Sequence, residues 1–363
     1  MLLLFVLALA VSVIYIGSII LFLLPYRKVR PRKVLPFVSI IIATRNEEAV
    51  IEKTLKNLRK LDYPRFEIII VDSSTDKTPK IARKYADKFI IEKRPQGKSH
   101  ALNMGIKKAR GEIVYVIDSD SLPEKTALKN LVQYLNGEYD AVVGLNLPQN
   151  RNGIVSVIGR LELAFLNLVD KTINSIIKTA LIPGRNFVIY KKTLKKVGGF
   201  EKALTEDVNI SWRLYKIGKK IGITPAVARE QVPDKFSWYI KQQERWTRGS
   251  LHEIRISLSH LSISEILIFL PAILFLSSVP FVIMIALVLY IITGIAYLLI
   301  PFLLGIFILF LAAIRYLDAT DAIYFPFSVL VFGAVQAYIL LVVAVKSTLG
   351  QRTLWYKTPK EKI

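Results

Sequence analysis

The stretch "VYVIDSDSL", residues 114–122, decides the reading of this chain. Val114 to Ile117 are β-favouring and apolar, as a strand buried on both faces requires. The run ends in Asp118 and Asp120. If the strand continued, carboxylates two residues apart would point to opposite faces. If the chain turns after Ile117, both reach one cleft. Hard cations such as Mg²⁺ or Mn²⁺ prefer oxygen ligands and are often shared with phosphates. A D-x-D at a strand end therefore suits a nucleotide-diphosphate site. The alternative is two acids in a solvated loop.

Outward from this strand, short apolar runs alternate with helical patterns. "VSIIIAT" (38–44), "FEIIIVDSS" (66–74), "KFIIEK" (88–93) and "DAVVGLN" (140–146) read as further strands. "EEAVIEKTLKNLRKL" (47–61) is an amphipathic helix, with Thr44 and Glu47 at capping-box spacing. "SHALNMGIKKARG" is a helix closed by Gly111. The alternation predicts an α/β domain with a largely parallel sheet. In such sheets ligands bind beyond the carboxyl ends of strands, where Asp72 and Asp118 stand. Past residue 150 the pattern turns helical, with helices expected at 154–178, 205–218 and 235–249.

The flanks differ in kind. Residues 1–24, 265–314 and most of 325–345 are nearly uninterrupted apolar runs. A run of ~20 such residues crosses a bilayer. Residues 1–24 lack the basic start of a secretory signal and are followed by Arg27, Lys28, Arg30, Arg32 and Lys33. They read as an uncleaved anchor (1–25) with its C-terminal end in the cytoplasm. The middle domain, 36–250, is then cytoplasmic, on a multi-pass protein of the cell membrane. "SLHEIRISLSHL" (251–262) reads as an interfacial amphipathic helix. The net charge of +22 fits a lipid surface or a phosphate-bearing substrate. No nucleic-acid motif accompanies it, which excludes that partner. The absence of cysteine excludes disulfides and thiolate chemistry.

Four further features carry chemistry. Asp72, in "IIIVDSSTDKT", repeats the strand-then-carboxylate pattern and can hold a base or ribose; Asp76 reads as a helix N-cap. "QGKS" (96–99) lacks the earlier Gly of a P-loop, position 92 being Glu, but Lys98 can face a phosphate or a base. In "TEDVNISWRLYKIG" (205–218), Ile210, Leu214 and Ile217 mark a buried stripe. Asp207 lies on that side in the first turn, as a candidate general base. In "WYIKQQERWTRGS" (238–250), Trp238, Gln242, Arg245 and Trp246 share one helical face. That face offers a phosphate-binding guanidinium and indole platforms; the alternative is a helix lying on the membrane surface.

Together these motifs resemble the family 2 inverting glycosyltransferases, in the membrane branch of cellulose, chitin and hyaluronan synthases. The resemblance rests on "VDSSTD", "DSD", "TED" and Q-x-x-R-W (Gln242, Arg245, Trp246) in order. "ATRNEE", "GKSHALNMGIKKARGE" and "VGGF" support it, and it covers about 38–250. It implies a GT-A type fold, a nucleotide-sugar donor, with UDP favoured, and Mg²⁺ or Mn²⁺. It implies that Thr44, Asn46, Glu47, Asp72 and Lys98 bind the donor. Asp118 and Asp120 bind the diphosphate and metal. Glu206, Gln242, Arg245 and Trp246 line the diphosphate and acceptor end. Asp207 deprotonates the acceptor hydroxyl. The acceptor is a growing polysaccharide or a membrane lipid. "VDSSTD" lacks the usual second Asp, and the membrane part is small for a polymer-secreting synthase, so a single-transfer glycolipid synthase is the rival. That rival resembles a ceramide glucosyltransferase or a polyprenyl-phosphate sugar transferase.

Outside that family, an aspartyl phosphotransferase using "DSD" leaves T-E-D and Q-x-x-R-W without a role. A non-catalytic scaffold predicts no metal-dependent nucleotide binding, and a transporter does not need the long middle domain. The tail "LWYKTPK" (354–360) is similar to a cytoplasmic gating segment of those synthases, which implies that Thr358 and Lys360 approach the diphosphate. Length favours three crossings in 263–346, which puts the tail outside. Its basic residues favour inside. A fourth short crossing, or an interfacial or re-entrant segment, reconciles the two.

Overall fold

The computed structural model describes residues 1–26, 32, 34–150, 153–177, 179–258, 285–349 and 358–360. These form two compact units. The first comprises 26–150, 178–231 and 359–363; the second comprises 1–25, 151–177 and 232–358. The expected single stretch 36–250 is thus divided. Residues 151–177 and 232–250 group with the apolar helices.

The first unit holds one sheet of eight strands. They are β1 (Val38–Thr44), β2 (Phe66–Asp72), β3 (Lys88–Ile91), β4 (Ile113–Val116), β5 (Leu122–Pro123), β6 (Ala141–Pro148), β7 (Phe187–Tyr190) and β8 (Ile221–Glu230). Their order is β3-β2-β1-β4-β7-β6-β8-β5. β3, β2, β1 and β4 are mutually parallel, as the βα alternation predicts. β7 is antiparallel to both β4 and β6, and β5 to β8, so the sheet turns mixed where that alternation ends. Ile40, Ile41 and Ile42 of β1 are all fully buried, so β1 is covered on both faces. Each such side chain contributes about 1.5–3 kcal/mol.

Helices α2 (Ile51–Leu58), α3 (Thr78–Ala82), α4 (Lys98–Lys108), α5 (Ala127–Tyr134), α7 (Lys191–Lys196) and α8 (Glu206–Lys216) belong to this unit. Two expected caps are corrected. Thr44 lies in β1 and its hydroxyl donates to Asp72, so no capping box forms. Gly111 does not close α4. It lies where β1 passes so closely that a Cβ would stand 2.5 Å from the Ser39 nitrogen. In α8, Ile210 and Leu214 are buried as expected, but Ile217 is exposed.

The second unit is helical. It contains α1 (Leu2–Leu23), α6 (Gly153–Ile177), α9 (Phe236–Leu258) and the helices Leu299–Tyr316 and Ala319–Thr348. Its core packs Tyr15, Phe22, Phe165, Tyr239, Leu309 and Phe332. α9 runs unbroken to Leu258, so the helices expected at 235–249 and 251–262 are one as far as they are described. Among the described residues, Leu2–Leu23, Ala296–Tyr316 and Ile323–Lys346 are long and apolar enough to cross a membrane. The rest of the expected apolar block, 263–284, and Arg27, Lys28, Arg30 and Lys33, lie outside the described residues.

Candidate active site

The first unit gathers charge at the carboxyl ends of its central strands. After β4 the chain turns, and Ser121 donates its N–H to the Asp118 carbonyl. Both carboxylates of the D-x-D meet amines. Lys98, at the start of α4, places Nζ 2.7 Å from Asp118 Oδ1 and 3.4 Å from Glu206 Oε1. It also donates to the Gly184 carbonyl at 3.1 Å. Lys360 Nζ lies 2.5 Å from Asp120 Oδ2 and donates to the Gln231 carbonyl at 3.4 Å.

Gly97 makes the first contact possible. Its φ of 102° belongs to glycine, and it aims the first turn of α4 at the strand ends. Burial pushes the Asp118 carboxyl up, but Lys98 and Arg185 outweigh it and hold the group below the usual carboxylate range. Burial likewise disfavours charge on Lys98, and Asp118 with Glu206 overcomes it, so the amine is held above its ordinary value.

Asp207 behaves oppositely. It is half-buried in the first turn of α8, and burial, then the neighbouring Glu206, raises its pKa to about 6 against the pull of Lys98. A carboxylate with this pKa is ionised at neutral pH yet basic enough to take a proton. Gly184 packs directly on it: a Cβ there would stand 2.7 Å from Asp207 Oδ2, and φ is +73°.

Three contributors escaped the sequence reading. Arg185 forms an ion pair with Glu230, and its charge also acts on Asp118 and Asp120. Burial pushes Glu230 up, and Arg185 opposes it. Asn186 holds this arginine in place from a left-handed conformation, φ 50°. Its amide donates to the Leu145 and Ala226 carbonyls at 2.9 and 3.0 Å, and its oxygen accepts from the Tyr115 hydroxyl at 3.0 Å. The only local signal was "PGRN", a turn between apolar runs. Nothing in the sequence paired it with Glu230, 45 residues away.

The other expected donor residues form a separate cluster at the ends of β1 and β2. Asp72 is buried; its Oδ1 accepts from Thr44 and Ser74 hydroxyls at 2.6 Å each, and its Oδ2 from the Ser74 N–H at 3.2 Å. Asn46 sits at φ 55° and accepts the Thr75 N–H at 2.8 Å. The Glu47 N–H donates to Thr78 Oγ1 at 2.8 Å. Asp76 takes the Thr78 N–H at 2.9 Å in an Asx-type turn, but the N-cap of α3 is Lys77, so the cap expected of Asp76 is corrected.

Gln242, Arg245 and Trp246 lie on α9 in the other unit. There the Gln242 amide donates to Thr358 Oγ1 at 3.3 Å.

A divalent cation fits Asp118 and Asp120. Both carboxylates already face cations, and Asp120 Oδ2 is buried with no conventional hydrogen bond. Among the described residues no three acid or imidazole groups converge. Mg²⁺ commonly takes one or two carboxylates and completes its shell with substrate phosphates and water.

The chain is 35% identical over 245 residues to the "Probable glycosyltransferase YdaM" of Bacillus subtilis, covering 61% of this chain and 57% of that protein. It is 31% identical over 227 residues to a poly-beta-1,6-N-acetyl-D-glucosamine synthase of Staphylococcus epidermidis, covering 60% and 55%. The chain therefore spans little more than half the length of these relatives. Its fold matches that of "Mannosyltransferase PcManGT from Pyrobaculum calidifontis in complex with GDP-Man and Mn2+". The TM-score is 0.69 at 22% identity, over 97% of this chain and 98% of that one. Residues 39–197 match the family described as Glycosyl transferase family 2.

Proposed function

We propose that the protein is an inverting glycosyltransferase that moves a sugar from a nucleotide-diphosphate donor to a hydroxyl acceptor at a membrane. The observation that carries this reading is the pairing of Asp207, raised to about 6, with a D-x-D held by Lys98 and Lys360. Asp207 takes the acceptor hydroxyl's proton as its oxygen attacks the anomeric carbon. The bond from that carbon to the diphosphate oxygen breaks on the opposite face. Asp118 and Asp120 would hold a divalent metal, which supplies charge neutralisation at the leaving diphosphate. Lys98 and Arg185 stand beside these carboxylates and supply positive charge where negative charge develops. Gly184 keeps a side chain from displacing Asp207.

Asp72, Thr44, Asn46 and Glu47 are assigned to the nucleoside end of the donor. Glu206 is assigned to the diphosphate and acceptor end with Gln242, Arg245 and Trp246. A polysaccharide acceptor is favoured by the likeness to the poly-beta-1,6-N-acetyl-D-glucosamine synthase, and a UDP-sugar donor is assigned from the motif resemblance alone. The neighbour bound to GDP-Man and Mn2+ is a precedent in this fold for the metal. The long apolar helices support a multi-pass membrane protein, and the basic residues Arg27, Lys28, Arg30, Arg32 and Lys33 after the first of them favour a cytoplasmic catalytic domain.

The test is nucleotide release and transfer with a panel of nucleotide sugars and Mn²⁺ or Mg²⁺, repeated with EDTA and with Asp207→Asn. Metal-dependent release from one donor, lost in the variant, is expected. Sizing the product separates polymer from glycolipid. No release from any donor by folded protein supplied with saccharide and lipid acceptors would overturn the reading.

A further inference from the structure

Between α7 and α8 the chain makes a turn at 197–201 that contains "VGGF" (197–200). Gly198 and Gly199, with φ of 82° and 76°, let the turn close on the end of α7. The Gly198 N–H donates to the Lys195 carbonyl at 3.1 Å, and the Gly199 N–H to the Leu194 carbonyl at 2.8 Å. The carbonyls of the turn itself point to other elements, and two helices of the first unit take them.

α4 grips one side of the turn. The Asn103 amide donates to the Phe200 carbonyl at 2.7 Å, and its oxygen accepts the Phe200 N–H at 3.0 Å. Ser99, the residue after Lys98, donates to the Glu201 carbonyl at 2.7 Å. Gly199 comes so close that a Cβ would stand 2.5 Å from Asn103 Oδ1. α8 grips the other side. Arg213 donates to the Gly199 carbonyl at 2.8 Å and to the Val197 carbonyl, and its Nε lies 3.3 Å from Glu201 Oε1. Arg213 stands roughly two helical turns beyond Glu206 and Asp207.

The two helices are thus joined at two levels. At their first turns Lys98 meets Glu206 at 3.4 Å. Further along, Asn103 and Arg213 meet through the turn. The first join is a partly exposed ion pair, which fixes geometry weakly. The second uses a two-point amide pairing and a planar guanidinium fork, both directional. The turn is also tied to the sheet. The buried rings of Phe200 and Phe187 lie 6.5 Å apart, and Phe187 of β7 pairs with Val116, the last residue of β4. One turn therefore sets α4, α8 and the strand that leads to Asp118 against one another.

We infer that Asn103 and Arg213 are positioning residues: through the turn at 197–201 they fix α8 against α4 and so place Asp207 for the transfer step. This rests on Asp207 being the base, as proposed above. The charged groups facing its carboxyl are Glu206 on α8 and Lys98 on α4, and Gly184 packs on it from the third side. A shift of α8 away from α4 removes the pull of Lys98 and leaves the push of Glu206, so the base is both displaced and harder to ionise.

The chain has no cysteine, so Lys107→Cys and Lys216→Cys, at exposed positions of α4 and α8, carry a nitroxide pair cleanly. The spin–spin separation is measured in full-length protein, alone and with Asn103→Ala or Arg213→Lys, which keeps the charge and loses the fork. A narrow separation is expected in the parent and a broadened or shifted one in each variant; an unchanged separation in either overturns the inference, whatever the activity. Should one variant fail to fold, the other carries the test. The second arm is turnover of UDP-N-acetylglucosamine and of GDP-mannose in Mn²⁺. In each variant kcat should fall on the order of 10–10²-fold, as for a displaced base, and the acid limb of the pH profile should move up from about 6. The double variant should lose less than the product of the two single losses, because both residues act through one turn. Full kcat with an unmoved acid limb in a variant whose separation has shifted would overturn the positioning role. Full activity in Asp207→Asn, or no turnover of either donor by the parent, counts against the base reading, and the separation then decides the bracket alone.

Discussion

Two strand ends in this molecule look alike in sequence and differ in chemistry. β2 and β4 each lead an apolar run into aspartate. Asp72 is met by neutral donors, the Thr44 and Ser74 hydroxyls and the Ser74 N–H. Asp118 and Asp120 are met by ammonium groups from distant parts of the chain. Neutral donors satisfy a carboxylate and shape a turn, which suits a fixed nucleoside-binding edge. Ammonium groups neutralise a carboxylate that, on the proposed reading, exchanges them for a divalent cation. The lesson is that the partner, rather than the aspartate, separates a scaffold from a charge-exchanging site.

The largest expected effect lies on the charged side of this comparison. Asp207→Asn should lower kcat by roughly 10²–10⁴-fold, the span of general-base catalysis. The pH profile follows from the same group. Activity needs the carboxylate, so the rate should fall as pH drops below about 6, the pKa of Asp207. Stability runs the other way. The folded pKa is raised, so protonated Asp207 contributes stability that is fully present below about 4, the ordinary carboxylate value, and lost as pH rises through about 6. Asp207→Asn should therefore match or exceed the parent's Tm at pH 7.5 while remaining inactive. A lower Tm would mean the residue is structural.

Gly184→Ala is expected next. The added carbon meets Asp207, and displacement of a base by such a distance costs on the order of 10²-fold in kcat/KM. Unchanged kcat/KM would detach the Gly184 turn from the chemistry.

Lys98→Met leaves Asp118 and Glu206 without their shared counter-charge. It should cost about 1–3 kcal/mol in urea unfolding, lowered by partial exposure, and should weaken donor binding. The smallest effect is expected at the neutral strand end. Asp72→Asn keeps an acceptor for both hydroxyls but loses one for the Ser74 N–H, costing about 1 kcal/mol of stability. If Asp72→Asn instead abolished turnover as fully as Asp207→Asn, the distinction between the two strand ends would collapse.

Legibility followed the range of the interactions. The parallel half of the sheet was readable because βα alternation and apolar runs are local properties of β1 to β4. Where β7 inserts antiparallel between β4 and β6, the order depends on long-range pairing that no local pattern announces. Likewise, Asp118, Asp120 and Asp207 were visible as acids placed at a strand end and in a first helical turn. The opposite proton affinities of Asp118 and Asp207 were not, because those come from Lys98, Arg185 and burial.

By itself, then, the sequence determined the periodicities, the apolar segments and the order of the acid-bearing motifs, all set by residues a few positions apart. Only the tertiary structure decided which cation meets which carboxylate. It brought Arg185 to Glu230, and it returned the last apolar helix to α6 and α9. Electrostatic and packing energies depend on distances in space, and chain order alone does not specify those distances.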